Sequence, residues 1–175
     1  MAEEIQLTLD TSCIDDRLGD FLNELKRLKD LGLVKLYLEL NSKIEKKKYE
    51  GTLRKKHLEW IELNTIGEDY LSCSMEENKK VFGKVRGIHS PEYSGESFFK
   101  TLSKGKQISM WNDWSILTYH ILNRRDFFVT MDKRGFINNG KKEKFEEEFK
   151  EHGLRIMELN EEFIKELKVL VDAKK

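Results

Sequence analysis

The feature that most restricts this chain is its first forty residues. Ile5–Gln6–Leu7–Thr8–Leu9 alternates with period two and stops at the polar run Asp10–Thr11–Ser12, which marks a strand. Leu18, Phe21, Leu22, Leu25 and Leu28 then follow helical spacing between Asp16 and Asp30, and Gly32 stops the helix. Leu33–Val34–Lys35–Leu36–Tyr37–Leu38 is a second strand. A strand, a helix and a strand in that order make a parallel pair joined by a right-handed crossover. The rest of the fold has to be built around that pair.

The same alternation returns in the second half. A helix is predicted from Asp113 to Arg125, followed by the apolar strand 127–131 and a charged helix from about Lys141 to Glu151 that Gly153 ends. Leu154–Leu159 reads as a strand that carries two charges, which suits a sheet edge. Asn160 caps a last helix with Phe163, Leu167 and Leu170 on one face. The expected fold class is α/β, a mostly parallel central sheet with helices on both faces.

The middle is less regular. A lysine-rich amphipathic helix is expected from Lys43 to about Leu63. Between residues 64 and 109 repeated glycines and Pro91 break the pattern, leaving two short helices near Glu76–Val85 and Glu96–Leu102. This segment is expected to be a helical insertion or lid, biased basic by Lys79, Lys80, Lys84, Arg86, Lys100, Lys104 and Lys106. With 175 residues, one domain over 1–175 accommodates it.

Charge excludes one simple mode of action. The 32 basic and 32 acidic side chains cancel, so a polyanion has to be met by a local patch and not by a global field. Cys13 and Cys73 lack metal or disulfide-framework spacing, which suits a reducing compartment. The start of the chain has no signal-peptide pattern, and no run approaches the roughly 20 apolar residues of a membrane span. A cytoplasmic protein without membrane partners is expected.

The chemistry-bearing residues stand where the strands end. In open parallel sheets ligands collect at the carboxyl ends of strands, and Asp10 and Asp132 each follow an apolar run directly. Asp113, expected to open its helix on the face of Ile116, Leu117 and His120, adds a third acid. Taken singly, Asp113 is as well read as a helix cap, and Asp10 or Asp132 as a turn residue. Carboxylates crowded into one cleft repel unless a cation neutralises them. An all-oxygen donor set, with no His or Cys at ligand spacing, points to Mg²⁺ or Mn²⁺ before zinc. Such a site favours phosphodiester hydrolysis. His120 reads as a packed or hydrogen-bonded side chain, and Arg124–Arg125 as a favourable end to the helix dipole.

Leu7–Thr8–Leu9–Asp10–Thr11–Ser12, Asn112–Asp113–Trp114–Ser115–Ile116–Leu117 and Phe128–Val129–Thr130–Met131–Asp132–Lys133–Arg134–Gly135–Phe136 together resemble the PIN domain family, the nuclease fold of VapC-type toxins and several RNA-processing enzymes. The resemblance implies a PIN-like fold and a metal-dependent endoribonuclease. Asp10, Asp113 and Asp132 would be its carboxylates, and Ser12 and Thr130 supporting hydroxyls. A further family acid after the second strand maps best onto Glu45, with Glu39 the alternative. RNA is the implied substrate, with a protein inhibitor (antitoxin) and a homodimer among the partners that such a family admits. The length and basic insertion depart from a compact toxin, which bears on the toxin role more than on the nuclease role. The rival is a catalytically inert PIN-like module that binds RNA or protein. A haloacid-dehalogenase-type phosphatase needs a second Asp where Ser12 stands, and a receiver domain needs paired acids there; both are disfavoured.

Overall fold

The computed structural model describes residues 4–40, 59–65, 74–93 and 100–174. Among them are five strands, β1 (Ile5–Leu9), β2 (Val34–Leu40), β3 (Glu62–Thr65), β4 (Phe127–Thr130) and β5 (Ile156–Glu158), and five α-helices, α1 (Gly19–Asp30), α2 (Met75–His89), α3 (Lys104–Leu122), α4 (Lys141–Glu148) and α5 (Glu161–Ala173). The strands form one sheet in the order β3-β2-β1-β4-β5, and every neighbouring pair is parallel. The chain winds outward from β1 through β2 to β3, then returns to the other side of β1 for β4 and β5. The reversal between β1 and β4 opens a crevice at their carboxyl ends, the place where ligands bind in folds of this kind.

Period-two alternation divides the sheet into two chemically different faces. Ile5, Leu7 and Leu9 of β1 join Val34, Leu36 and Leu38 of β2 and Phe127 and Val129 of β4. On this face lie Leu22, Leu25 and Leu28 of α1 and Phe163, Ile164, Leu167 and Val171 of α5. Phe128 and Ile156 belong to the other core, with Val81 and Val85 of α2, Met110, Trp114, Leu117 and Ile121 of α3, and Phe136 and Phe145. Trp114, Phe128, Phe136 and Phe145 are all fully buried. Helices therefore cover both faces, as the alternating sequence requires.

The second face also takes polar residues into its depth. Thr8 shares a hydrogen bond with His120 Nδ1 at 3.0 Å and accepts one from the Arg125 guanidinium at 3.0 Å. That guanidinium stacks on Tyr37, 3.7 Å from the ring centroid. Arg125 thus lies beyond the end of α3, turned beneath the sheet and buried, where the sequence suggested a favourable partner for the helix dipole. The turn is made possible by Arg124, whose φ of 51° reverses the chain directly after α3.

Three elements differ from expectation. Asp113 does not open its helix. Ser103 is the N-cap, accepting from Lys106 N, and α3 starts at Lys104, so Asp113 lies well inside it. Gly105 falls in the first turn, where it costs little, and nothing between Gln107 and Asn112 breaks the helix. The expected Lys43–Leu63 helix does not reach its predicted end, because Glu62–Thr65 pairs with β2 as an edge strand. Its body, residues 43–58, lies outside the described residues. The expected helix near Glu76–Val85 is longer and runs to His89, capped at its start by Ser74. Most of the other short helix, residues 96–99 of Glu96–Leu102, lies outside the described residues.

Burial and the nearby Arg125 push the His120 imidazole from its ordinary 6.5 down to about 3. A group whose folded pKa is depressed gives its full stability above the unfolded pKa and loses it as pH falls through the interval between the two. The window here runs from about 6.5 down to about 3. Between pH 7 and pH 5 the His120 contribution falls by roughly 2 kcal/mol. Urea unfolding of wild type and His120→Asn at both pH values is expected to show the wild type losing more stability by about that amount. Identical losses would refute the assignment.

Candidate metal centre at the strand ends

Asp10 follows β1 directly, is 4% exposed and continues the sheet ladder by donating its N–H to Val129 O at 2.8 Å. Its Oδ2 accepts hydrogen bonds from Ser12 Oγ and from Thr130 Oγ1, the latter at 2.7 Å. Each hydroxyl also accepts a backbone N–H from the segment leaving β4. Ser12 Oγ takes Met131 N at 3.0 Å and Thr130 Oγ1 takes Asp132 N at 2.9 Å. One buried carboxylate thereby sets the path of the chain that carries the next acid. Burial raises the Asp10 pKa, the two hydroxyls oppose that rise, and the charge of Asp132 adds to it.

Asp132 caps a single π-helical turn, Lys133–Ile137, by accepting Gly135 N on Oδ1 at 3.0 Å. Gly135 is required by space: a Cβ there would stand 2.3 Å from Asp132 Oδ2 and 2.8 Å from His89 Nε2. Asp113 reaches the same place from α3. One turn beyond it Ile116 and Leu117 are buried, which holds the Asp113 face of the helix against the core. Its carboxylate remains about a quarter exposed and its Oδ2 lies 3.9 Å from His89 Nε2.

His89 ends α2, on the stripe begun by Val81 and Val85, and is buried. Its Nδ1 is 2.6 Å from Ser90 Oγ, and its ring packs edge-on against Phe136 with centroids 5.0 Å apart. Lys141 Nζ donates to His89 O at 2.6 Å and to Arg134 O at 2.8 Å, tying the end of α2 to the loop that carries Asp132. Burial and the Lys141 charge lower the imidazole pKa from 6.5 to about 4, so the ring is neutral near pH 7. Among the described residues its Nε2 is buried without a hydrogen-bond partner.

One donor atom each from His89, Asp113 and Asp132 lie within 4.8 Å of one another. The sequence-predicted acids Asp113 and Asp132 are therefore brought together from different elements. Asp10 stands behind them, joined to the Asp132 backbone through the Thr130 hydroxyl, and Ser12 and Thr130 are in place beside it. Glu45 lies outside the described residues, and Glu39 falls in β2. The two carboxylates and an orphaned buried nitrogen, drawn in over a glycine whose Cβ would collide with Asp132 Oδ2 and His89 Nε2, are a donor set that fits a divalent cation. His89 was absent from the expected site. Its sequence signal was the i, i+4, i+8 spacing Val81–Val85–His89, which places it on the buried stripe of a helix.

No family model, curated protein or solved structure matches the chain.

Thr130→Val removes the hydroxyl that serves Asp10 Oδ2 and Asp132 N together. Its expected cost is about 1–3 kcal/mol, because buried polar partners are left unsatisfied in a side chain of the same shape. Thr130→Ser, which keeps the hydroxyl, should recover most of it. Urea unfolding midpoints of the three proteins test this, and equal midpoints for Val and wild type would show that the relay is idle.

Proposed function

We propose that the chain is a divalent-metal-dependent endoribonuclease with a PIN-like active site. The observation that carries the reading is the meeting of Asp113 and Asp132 at the crevice between the carboxyl ends of β1 and β4, with Asp10 directly beneath. Acids at that crevice are in the position where α/β sheets bind ligands, and their mutual repulsion is relieved by a cation. The strand order and the residues that carry the family resemblance support the same reading.

In this proposal Asp113 and Asp132 hold the ion, which is Mg²⁺ or Mn²⁺. Such an ion, when bound, stabilises charge on a phosphodiester and makes water a better nucleophile at neutral pH. Asp10 acts through Ser12 and Thr130, fixing the backbone from which Asp132 projects. The exposed Lys79 and Lys80 lie on α2 and Lys104 and Lys106 on α3, the two elements that supply His89 and Asp113, and the exposed Lys100 stands just before α3. They supply the local positive charge that an RNA backbone requires on a chain with no net charge. Glu45 is proposed as a further acid of the site.

The test is cleavage of end-labelled RNAs of mixed sequence by wild type, Asp113→Asn, Asp132→Asn and Asp10→Asn, with Mn²⁺, with Mg²⁺ and with EDTA. Wild type should cut internally only with metal, and Asp132→Asn should be slower by at least about 100-fold. Intact RNA in every wild-type reaction, with retention in a gel-shift assay, would instead favour an inert RNA-binding module. Cleavage that survives EDTA and all three substitutions would remove the metal site from the chemistry.

A further inference from the structure

The proposed ribonuclease needs only carboxylates, yet an imidazole stands among them. We propose that His89 Nε2 is a metal ligand, and that with Asp113 and Asp132 it forms a nitrogen-and-oxygen centre selective for a first-row transition ion such as Mn²⁺ over Mg²⁺. The inference rests on the reading of Asp113 and Asp132 as metal ligands and adds to it the identity of the ion.

Three independent features direct Nε2 to this role. The atom is buried and, among the described residues, has no hydrogen-bond partner, a costly arrangement for a nitrogen that neighbours two acids. Its separation of 3.9 Å from Asp113 Oδ2 is too long for a hydrogen bond. The orientation of the ring is also fixed. Nδ1 engages Ser90 Oγ, Phe136 packs on the ring, and Lys141 anchors the backbone carbonyl of the same residue. With its proton on Nδ1, the imidazole presents the Nε2 lone pair to the carboxylates, the arrangement by which outer partners orient metal-bound histidines. Gly135, finally, has no side chain, which lets His89 Nε2 and Asp132 Oδ2 both approach its Cα where a methyl group would collide with them.

The spacing agrees with one shared ion. Ligands at roughly 2.0–2.2 Å from a metal lie about 3 Å apart when adjacent and about 4.2 Å apart when opposite. The observed spread, up to 4.8 Å, has to contract by about half an ångström where the widest pair become opposite ligands and by more than about 1 Å where they become adjacent. Imidazole distinguishes between cations that carboxylates do not: Mg²⁺ keeps to oxygen ligands and several waters, whereas nitrogen donors favour transition ions.

The test uses the full chain stripped of metal with EDTA and dialysed. Calorimetric titration with MnCl₂ and with MgCl₂ should give one Mn²⁺ site at least about tenfold tighter than the Mg²⁺ site. Pulsed electron paramagnetic resonance of bound Mn²⁺ should show coupling to a nitrogen that changes on ¹⁵N-histidine labelling and is lost in His89→Leu. That variant should lose about tenfold or more in Mn²⁺ affinity and change little towards Mg²⁺. Gly135→Ala keeps every donor but crowds the space between them, and should weaken Mn²⁺ binding as well, which covers the case in which His89→Leu fails to fold. Unchanged Mn²⁺ affinity in both variants, absence of histidine nitrogen coupling, or equal affinity for the two ions would overturn the proposal. Mn²⁺ held through His89 by a protein that leaves RNA intact would sustain it while refuting the ribonuclease. Metal-dependent cleavage that His89→Leu matches at every Mn²⁺ concentration, with no histidine nitrogen coupling in wild type, would do the reverse.

Discussion

The interaction on which the rest of the molecule depends is the buried carboxylate of Asp10, shared between two hydroxyls that stand 118 residues apart in the chain. Ser12 and Thr130 each donate to it and each accept a backbone N–H from residues 131 and 132. The chain leaving β1 and the chain leaving β4 are thereby held at one fixed distance where the sheet reverses direction. A buried carboxylate without such donors would be costly, and a pair of hydroxyls without the carboxylate would leave the Asp132 backbone with weaker guidance. The crevice at the strand ends thus owes its shape to a carboxylate whose burial is offset in part by the two hydroxyls that donate to it.

A second polar cluster lies on the same face, two residues back along β1. Thr8, His120 and Arg125, with Tyr37 against the guanidinium, meet between the sheet and α3. Both clusters project from the side of β1 that its alternation reserves for polar residues, while Ile5, Leu7 and Leu9 fill the apolar core on the reverse side. The strand's two faces therefore divide the labour of the protein. One holds the sheet to α1 and α5, and the other positions α3, whose Asp113 arrives at the site from one turn above the buried Ile116 and Leu117.

What the sequence reveals follows from the range of the forces involved. β1, β4 and the helix capped by Asn160 are legible because their signals are local: alternation, apolar runs and a side-chain cap. Asp10 and Asp132 are legible as rim residues because position after a strand is also local. β3 escaped notice because an edge strand of mixed polarity, Glu62–Leu63–Asn64–Thr65, has no alternation to display and gains its identity from β2. The start of α3 was obscured because a glycine in a first turn looks like a break when the Ser103 cap is not recognised. His89 could be placed on a buried stripe, but its approach to Asp113 and Asp132 depends on how α2 crosses α3 and on the Lys141 anchor. No spacing along the chain encodes that.

The hydrogen bond between Thr130 and Asp10 spans 120 residues. Long-range closure of this sort comes late, since ordering a large loop is paid for before its contacts form. While the chain is being synthesised from its amino end, β1, α1 and β2 can associate as soon as they appear, but the crevice has only one wall until β4 is made. His89 and Asp113 have then long been present without their third partner. The centre is consequently a property of the finished sheet, and its assembly coincides with the insertion of β4 beside β1.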